Sequence, residues 1–275
     1  MLRATIASAN SSLRGYGTKC SVIDASPGFN VHCEQSSGNV GTALLPPALP
    51  IVPVLGVDET LYSWCATVHF RIGFHNARTT SELLFGRPYA ALLHDFPAYV
   101  GHLATRTDNL LGDARNLALS HTLLGHFLVL VEEAEANCII ERVIEGSMPH
   151  LKMRIGITGA GLGGSHWLKF CPQCVKSDRE RLGIATWQCA HQYPSSMVCR
   201  LHQLPLSIAY HPHTPVHLRK WITPTKGATQ HIRYRVSDAA FVDIERLAHM
   251  ANSFTSLGPG ALQPKLIAAK VHRRL

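Results

Sequence analysis

Two residue pairs carry the most specific chemistry in this sequence: Cys171-Pro-Gln-Cys174 and, further along, Cys199-Arg-Leu-His202. A C-x-x-C pair sets two thiolates on one tight turn, and a C-x-x-H pair supplies two more ligands from a second turn. Three sulfurs and one imidazole complete a tetrahedral shell of the kind that holds structural zinc. Four protein ligands leave no position open for a water. The pattern therefore predicts a closed Zn2+ clamp, not a water-activating catalytic centre. Cys189 and His191 lie between the two pairs, and either has the chemistry of a reserve ligand.

The other cysteines, Cys20, Cys33, Cys65 and Cys138, stand far apart without knuckle spacing. Eight cysteines in 275 residues is not a disulfide-rich composition, and the amino-terminal segment lacks the charged-then-apolar order of a secretory signal. A reducing compartment is expected, with Cys65 and Cys138 buried on apolar helices. No apolar run reaches the ~20 residues of a membrane span, so no membrane partner is expected. The 17 histidines are scattered, and their number alone argues for no metal.

A net charge of +8 favours an anionic partner. Its placement is more telling than its sum. Between residues 151 and 236 twelve Lys and Arg face only Asp178 and Glu180. Within that span, Lys176, Arg179, Arg181, Arg200, Arg219, Lys220, Arg233 and Arg235 are the candidate DNA contacts, and Lys152, Arg154, Lys169 and Lys226 add to the basic balance. Trp167, Trp187, Tyr193, Trp221 and Tyr234 are interleaved with them. Such a mixture suits phosphate contacts with occasional stacking. Trp167 and Trp187 are expected in the small core around the zinc.

The elements that must position these residues are mostly helical. Residues 1–45, with runs such as Ala7-Ser-Ala-Asn-Ser-Ser12, have no sustained period and read as a disordered tail. Pro46, Pro47, Pro50 and Pro53 form an extended lead-in. Asp58 is the expected N-cap of a first helix carrying Leu61, Trp64, Cys65 and Val68, closed by Gly73. Thr79 or Thr80 would cap a second, closed by Gly86. Pro88–Leu93 and Phe96–Thr105 suggest further short helices, with Tyr99 and Leu103 inward. Ser120–Glu145 is apolar with helical period and belongs in the core, with Glu132, Glu133 and Glu135 as a solvated face. Gly159-Ala-Gly-Leu-Gly-Gly164 lacks the context of a nucleotide loop and reads as a linker.

The expected fold is mainly α. An N-terminal helix-turn-helix-like helical bundle over 46–158 is followed by a small zinc-ribbon or knuckle-like α+β module over 165–210, the Cys3His zinc domain. Residues 211–275 form a basic segment with one or two helices, one of them near Phe241–Met250.

Phe170-Cys-Pro-Gln-Cys174, Asp178, Gly183, Trp187, His191-Gln192, Pro194, Val198-Cys199, His202 and Leu204-Pro-Leu206 together resemble the zinc motif of TniQ/TnsD transposition proteins. Upstream, Leu49-Pro50-Ile51 and Asp58-Glu59-Thr-Leu-Tyr-Ser-Trp64 resemble that family's opening signature, and Leu84-Phe85-Gly86 and His121-Thr-Leu-Leu124 fit its pattern. The likeness spans roughly Leu49 to Leu206. Thr186 replaces the family's usual aromatic, Tyr193 and Ser195 replace Leu and Gly, and Gln203 stands where Gly is common. The carboxyl end is short beside target-site-reading relatives, like a truncated version, so the resemblance does not extend to independent reading of a DNA site.

What the resemblance implies is a non-enzymatic accessory protein of transposition within a mobile genetic element. It would select targets by binding DNA or a target-recognition complex and would recruit an AAA+ ATPase regulator and, through it, the transposase. A homodimer is compatible with this role, and a bacterial, nucleoid-associated cytoplasmic location follows from it. His191 would brace the metal site. The rivals are a zinc-containing sequence-specific transcription regulator and a zinc hydrolase, the latter requiring that Cys199 or His202 not ligate.

Overall fold

The structure, a computed structural model, describes residues 49, 51–90, 92, 94–96, 98–158, 167–209, 220–224 and 237–262. The tail expected over 1–45, the 159–164 linker, and Arg219, Lys226, Arg233, Tyr234 and Arg235 lie outside the described residues. The described residues are mainly helical with one small two-stranded sheet. No helix among the described residues is long and apolar enough to cross a membrane.

Helix α1 (Leu61–Ile72) is capped by Thr60, whose Oγ1 accepts the Ser63 N–H at 3.1 Å, and ends at Gly73 with φ 77°. Asp58 is therefore not the cap. Its backbone carbonyl accepts the Cys189 N–H at 2.7 Å and its carboxylate the Ala190 N–H at 3.2 Å, so this short polar side chain serves a helix start far along the chain. Helix α2 (Ala77–Phe85) starts before either expected threonine, at Asn76, which accepts the Arg78 N–H at 2.8 Å. Thr80 is turned inward instead, with Oγ1 2.6 Å from His69 Nδ1. Gly86 closes α2 at φ 66°.

The Pro88–Leu93 helix does not form as expected: residues 88–90 are a turn with Tyr89 at φ 59°. Asp95 accepts the Phe96 N–H and Tyr99 is left-handed at φ 60°, which delays helix α3 to Val100–Arg106. Leu103 is buried as expected and Tyr99 packs against the core. Helix α4 (Ala114–Ser120) is capped by Asp113. The apolar run Ser120–Glu145 divides into α5 (Leu124–Leu128) and α6 (Glu133–Glu145), followed by α7 (Leu151–Arg154). The break falls where backbone bonds tighten to Leu130→Phe127 and Val131→Leu128. Acidic Glu133 and Glu135 then occupy the first turn of α6, where the helix end favours negative charge.

One hydrophobic core runs through Trp64, Leu84, Phe85, Leu103, Leu117, Leu128, Ile139 and Ile140 and continues into Leu168, Phe170, Trp187 and Trp221. Each large apolar side chain so buried contributes about 1.5–3 kcal/mol. At its edge Lys152 Nζ reaches Asp95 Oδ2 at 2.5 Å, with the Asp95 side chain only 3% exposed. Replacing Lys152 by Ala leaves that carboxylate without its cation. We expect a loss of about 2 kcal/mol, read as a lower urea midpoint and discounted because Lys152 is part-exposed.

Strand β1 (Lys169–Phe170) pairs antiparallel with β2 (Ser207–Ile208), Lys169 opposite Ile208 and Phe170 opposite Ser207. Between them lie α8 (Pro172–Leu182) and α9 (Cys189–Gln192). Helix α10 (Asp238–Thr255) is longer than the expected Phe241–Met250 because Ser237 caps it, accepting the Ala240 N–H. Ala251 of α10 joins Leu123, Cys189, Ala190 and Tyr193 in a second apolar cluster. Beyond it the Gly260 and Leu262 N–H groups reach the carbonyls of Leu128 and Val129.

Candidate metal centre

Cys171 is the extended residue immediately before α8, and Pro172 is its first helical residue, where the fixed proline φ suits a helix start. Cys174 follows on the first turn, so the C-x-x-C pair opens a helix. The second pair sits on a hairpin: Val198 bridges to Pro205, and Cys199 N–H reaches the Leu204 carbonyl at 2.8 Å. The Gln203 N–H returns to the Cys199 carbonyl at 2.7 Å, which bends the chain so that Cys199 and His202 face α8.

One donor atom each from Cys171, Cys174, Cys199 and His202 lies within 4.8 Å of the others. Cys174 Sγ is 3.7 Å from Cys199 Sγ, and His202 Nδ1 is 3.6, 3.3 and 3.6 Å from the sulfurs of Cys171, Cys174 and Cys199. Bonds of zinc length to sulfur and nitrogen give tetrahedral edges of about 3.8 Å (S–S) and 3.5 Å (S–N). The donors are thus spaced as a tetrahedral ion would hold them, and the group could hold a metal ion. Three thiols this close also disturb one another. Hydrogen bonding with Cys171 pushes the Cys174 thiol well up, while bonds from Cys171 and Cys174 hold the Cys199 thiol far below its ordinary range. A bound cation would relieve this by taking all three as thiolates.

The supporting contacts explain the His-Gln pair. His191 Nε2 is 4.0 Å from Cys174 Sγ and the side chain is buried. Gln192 lies along β1 as a strand would, its Oε1 accepting the Lys169 N–H at 3.0 Å and its Nε2 donating to the Lys169 carbonyl at 2.8 Å. Lys169 is no surface cation. It is buried, with Nζ donating to the carbonyls of Tyr193 and Ser196 at 2.6 and 2.7 Å, and burial lowers its pKa to about 7. Asp178 is also buried and accepts both the N–H and the hydroxyl of Thr186, at 3.2 and 2.6 Å. Thr186 does here what an aromatic at that position could not.

Trp187 is buried against the helical half, not around the sulfur cluster. Its N–H donates to Ser63 Oγ at 3.0 Å, its indole N–H to the Ile222 carbonyl at 2.7 Å, and its ring meets Phe170 edge-on. With Thr60 N–H on the Trp187 carbonyl and Glu59 bridging Gln188, the segments 58–63 and 187–190 form one joint. His121 closes it, with Nδ1 2.7 Å from the Glu59 carbonyl. Trp167, expected inside, is 39% exposed, whereas Leu168 beside it is buried.

Gln203 is left-handed at φ 51°, a conformation that disfavours a side chain by about 1–2 kcal/mol. Its Nε2 contact with Glu245 is exposed and worth little by comparison. Gln203→Gly is expected to leave the melting temperature unchanged or to raise it, with metal content unaltered. A drop of several degrees in a thermal melt would refute this.

Of the other sequence candidates, Cys189 lies away from the cluster, its Sγ directed at the Ser120 carbonyl at 3.6 Å. Lys176, Arg179, Arg181, Arg200 and Lys220 are exposed. Lys176 forms a 3.9 Å pair with Glu180, and Arg181 lies 3.9 Å from Asp178. The buried Lys169 and the Gln192 clamp were not foreseen. The signal for Gln192 was its place in the His191-Gln192 pair of the resembled motif.

A helical scaffold joined to a Cys3His group closed by four side chains defines the class: an α-protein with a candidate structural metal centre. The TniQ family model matches residues 50–206, more than half of the chain, and the chain belongs to that family, which is associated with transposition. No curated protein matches the chain.

Proposed function

We propose that this protein is an adaptor of DNA transposition that selects targets and has no catalytic role of its own. It engages DNA or a target-recognition complex on one side and an AAA+ ATPase regulator on the other, and the transposase enters through that regulator. The observation that carries the reading is the TniQ match over 50–206. In this reading Cys171, Cys174, Cys199 and His202 hold one structural Zn2+, with His191 bracing Cys174. All four donors would be spent on the ion, which supplies folding energy to the segments around it.

Exposed Lys176, Arg179, Arg181, Arg200 and Lys220 support a phosphate-binding face. Arg219, Arg233 and Arg235 belong to the same proposed set by charge alone. The helical part over 46–158 presents the protein-binding face, with its helix-turn-helix-like pairs available to DNA, and 165–210 forms the metal module. The test is co-elution of the full chain with an AAA+ transposition regulator from the same mobile element, together with duplex binding at low salt. Association with the ATPase supports the reading. Binding to neither partner ends it.

A further inference from the structure

Helix α8 has only a thin apolar contact with the core, made by half-buried Val175. Of its residues only Cys174 and Asp178 are buried, the first in the sulfur cluster and the second on Thr186. Helices of globular proteins are ordinarily held by an apolar face against the core. This one adds to its Val175 contact the ligand-type side chains on its first turn, a buried carboxylate at mid-length and a left-handed Gly183 at its end. The fold therefore holds a three-turn helix along one side while leaving the opposite side in solvent.

What that surface carries is specific. At 100° per residue, Gln173, Lys176 and Glu180 fall on the side opposite Cys174 and Asp178, with Arg179 on one flank. All four are exposed. Gln, Lys and Glu are side chains that pair with adenine, guanine and cytosine edges in the major groove, and Arg serves phosphates well. With Asp178 buried, the solvent-facing charges of α8 are Lys176, Arg179 and Arg181 against Glu180 alone, and exposed Arg200 stands beside Cys199. The Lys176–Glu180 pair is 3.9 Å long with side chains 71% and 67% exposed, a weak contact that opens readily to a new partner. Eleven residues make a helix roughly 16 Å long, enough to cross a major groove about 12 Å wide.

We propose that α8 is a base-reading helix that enters the DNA major groove, presenting Gln173, Lys176 and Glu180 to base edges and Arg179 to phosphates. This rests on the DNA-binding reading above and goes beyond it in assigning sequence readout to the helix that opens at the metal centre. The metal ligands would fix the helix so that its polar ridge is ordered before DNA arrives.

The experiment selects bound duplexes from a random library with the full-length wild-type protein, a Gln173→Ala/Glu180→Ala double variant, and Arg179→Ala. Because these residues are exposed, circular dichroism and zinc content should match wild type and confirm folding. The proposal predicts that wild type enriches a short motif. The double variant should lose about tenfold discrimination at two base pairs about three steps apart, since Gln173 and Glu180 lie two helical turns apart. Arg179→Ala should weaken all sequences alike and lower the salt slope by about one. Wild type that binds duplex without enriching a motif, or variants with wild-type preferences, overturn the α8 proposal and leave the DNA reading standing. A double variant that keeps its DNA preferences but loses the ATPase makes α8 a protein-docking face and also overturns it. Wild type that binds no duplex at low salt removes the DNA reading and this proposal together.

Discussion

Cys174→Ser is expected to release the metal and unfold the segment from β1 through β2. Cys174 is buried, and its sulfur is within 3.7 Å of both Cys199 Sγ and His202 Nδ1, so no neighbouring ligand can move in without moving a strand or helix start. His191 is the nearest alternative, but its Nε2 stands 4.0 Å from the sulfur it would replace. Structural zinc contributes about 10–16 kcal/mol of apparent folding free energy in small modules. A whole domain is typically stable by about 5–15 kcal/mol. Among the described residues the sulfur cluster's own apolar support is only Leu206, so burial there does not make up the loss. Zinc content should fall from one equivalent to near zero, with a clear loss of helical circular dichroism. His202→Cys is the control: it restores a four-ligand set at an exposed position and should keep metal and fold. A Cys174→Ser protein that retains its zinc and melts like wild type would contradict the assignment.

The second large effect is expected at Trp187→Ala, which should lower stability by about 3–5 kcal/mol without touching a ligand. The indole is fully buried, and its removal opens a cavity while leaving the Ile222 carbonyl unpaired. It lies at the joint where segments 58–63 and 187–190 meet, so the loss is shared by both halves of the structure. Trp187→Phe keeps most of the volume but not the indole N–H and should lose less. Urea unfolding alongside metal analysis separates this from the first prediction: the midpoint falls while the zinc stoichiometry stays at one. A Trp187→Ala protein with an unchanged midpoint would show that the joint is not a stability element.

Much of this arrangement was legible because its causes are local. Gly73 and Gly86 were readable as helix ends, and each sits at positive φ. Cys171, Cys174, Cys199 and His202 are readable because metal geometry constrains their spacing. Asp58 was misread for the opposite reason: its partner, Ala190, is distant in sequence, and capping preference says nothing about which helix is served. Lys169 was counted as surface charge because nothing around it announces that two loop carbonyls take its ammonium into the interior.

Three of the four departures from the family pattern are met by a contact visible only in three dimensions. Thr186 holds Asp178, Tyr193 stacks on His126 at 4.6 Å, and Gln203 reaches Glu245. The last two lead to α10, which lies beyond the matched residues: Glu245 is on it, and His126 Nδ1 is 3.2 Å from its Ala251 carbonyl. No pattern in 50–206 alone foretells that packing.

The central claim is that the Cys3His group is a closed, structural zinc site. Zinc-edge X-ray absorption on the purified full-length protein tests it most directly. We predict three sulfurs at about 2.3 Å and one nitrogen at about 2.0 Å, with no oxygen in the shell. Fewer than three sulfurs, or an oxygen at bonding distance, would mean an open site and would contradict the account.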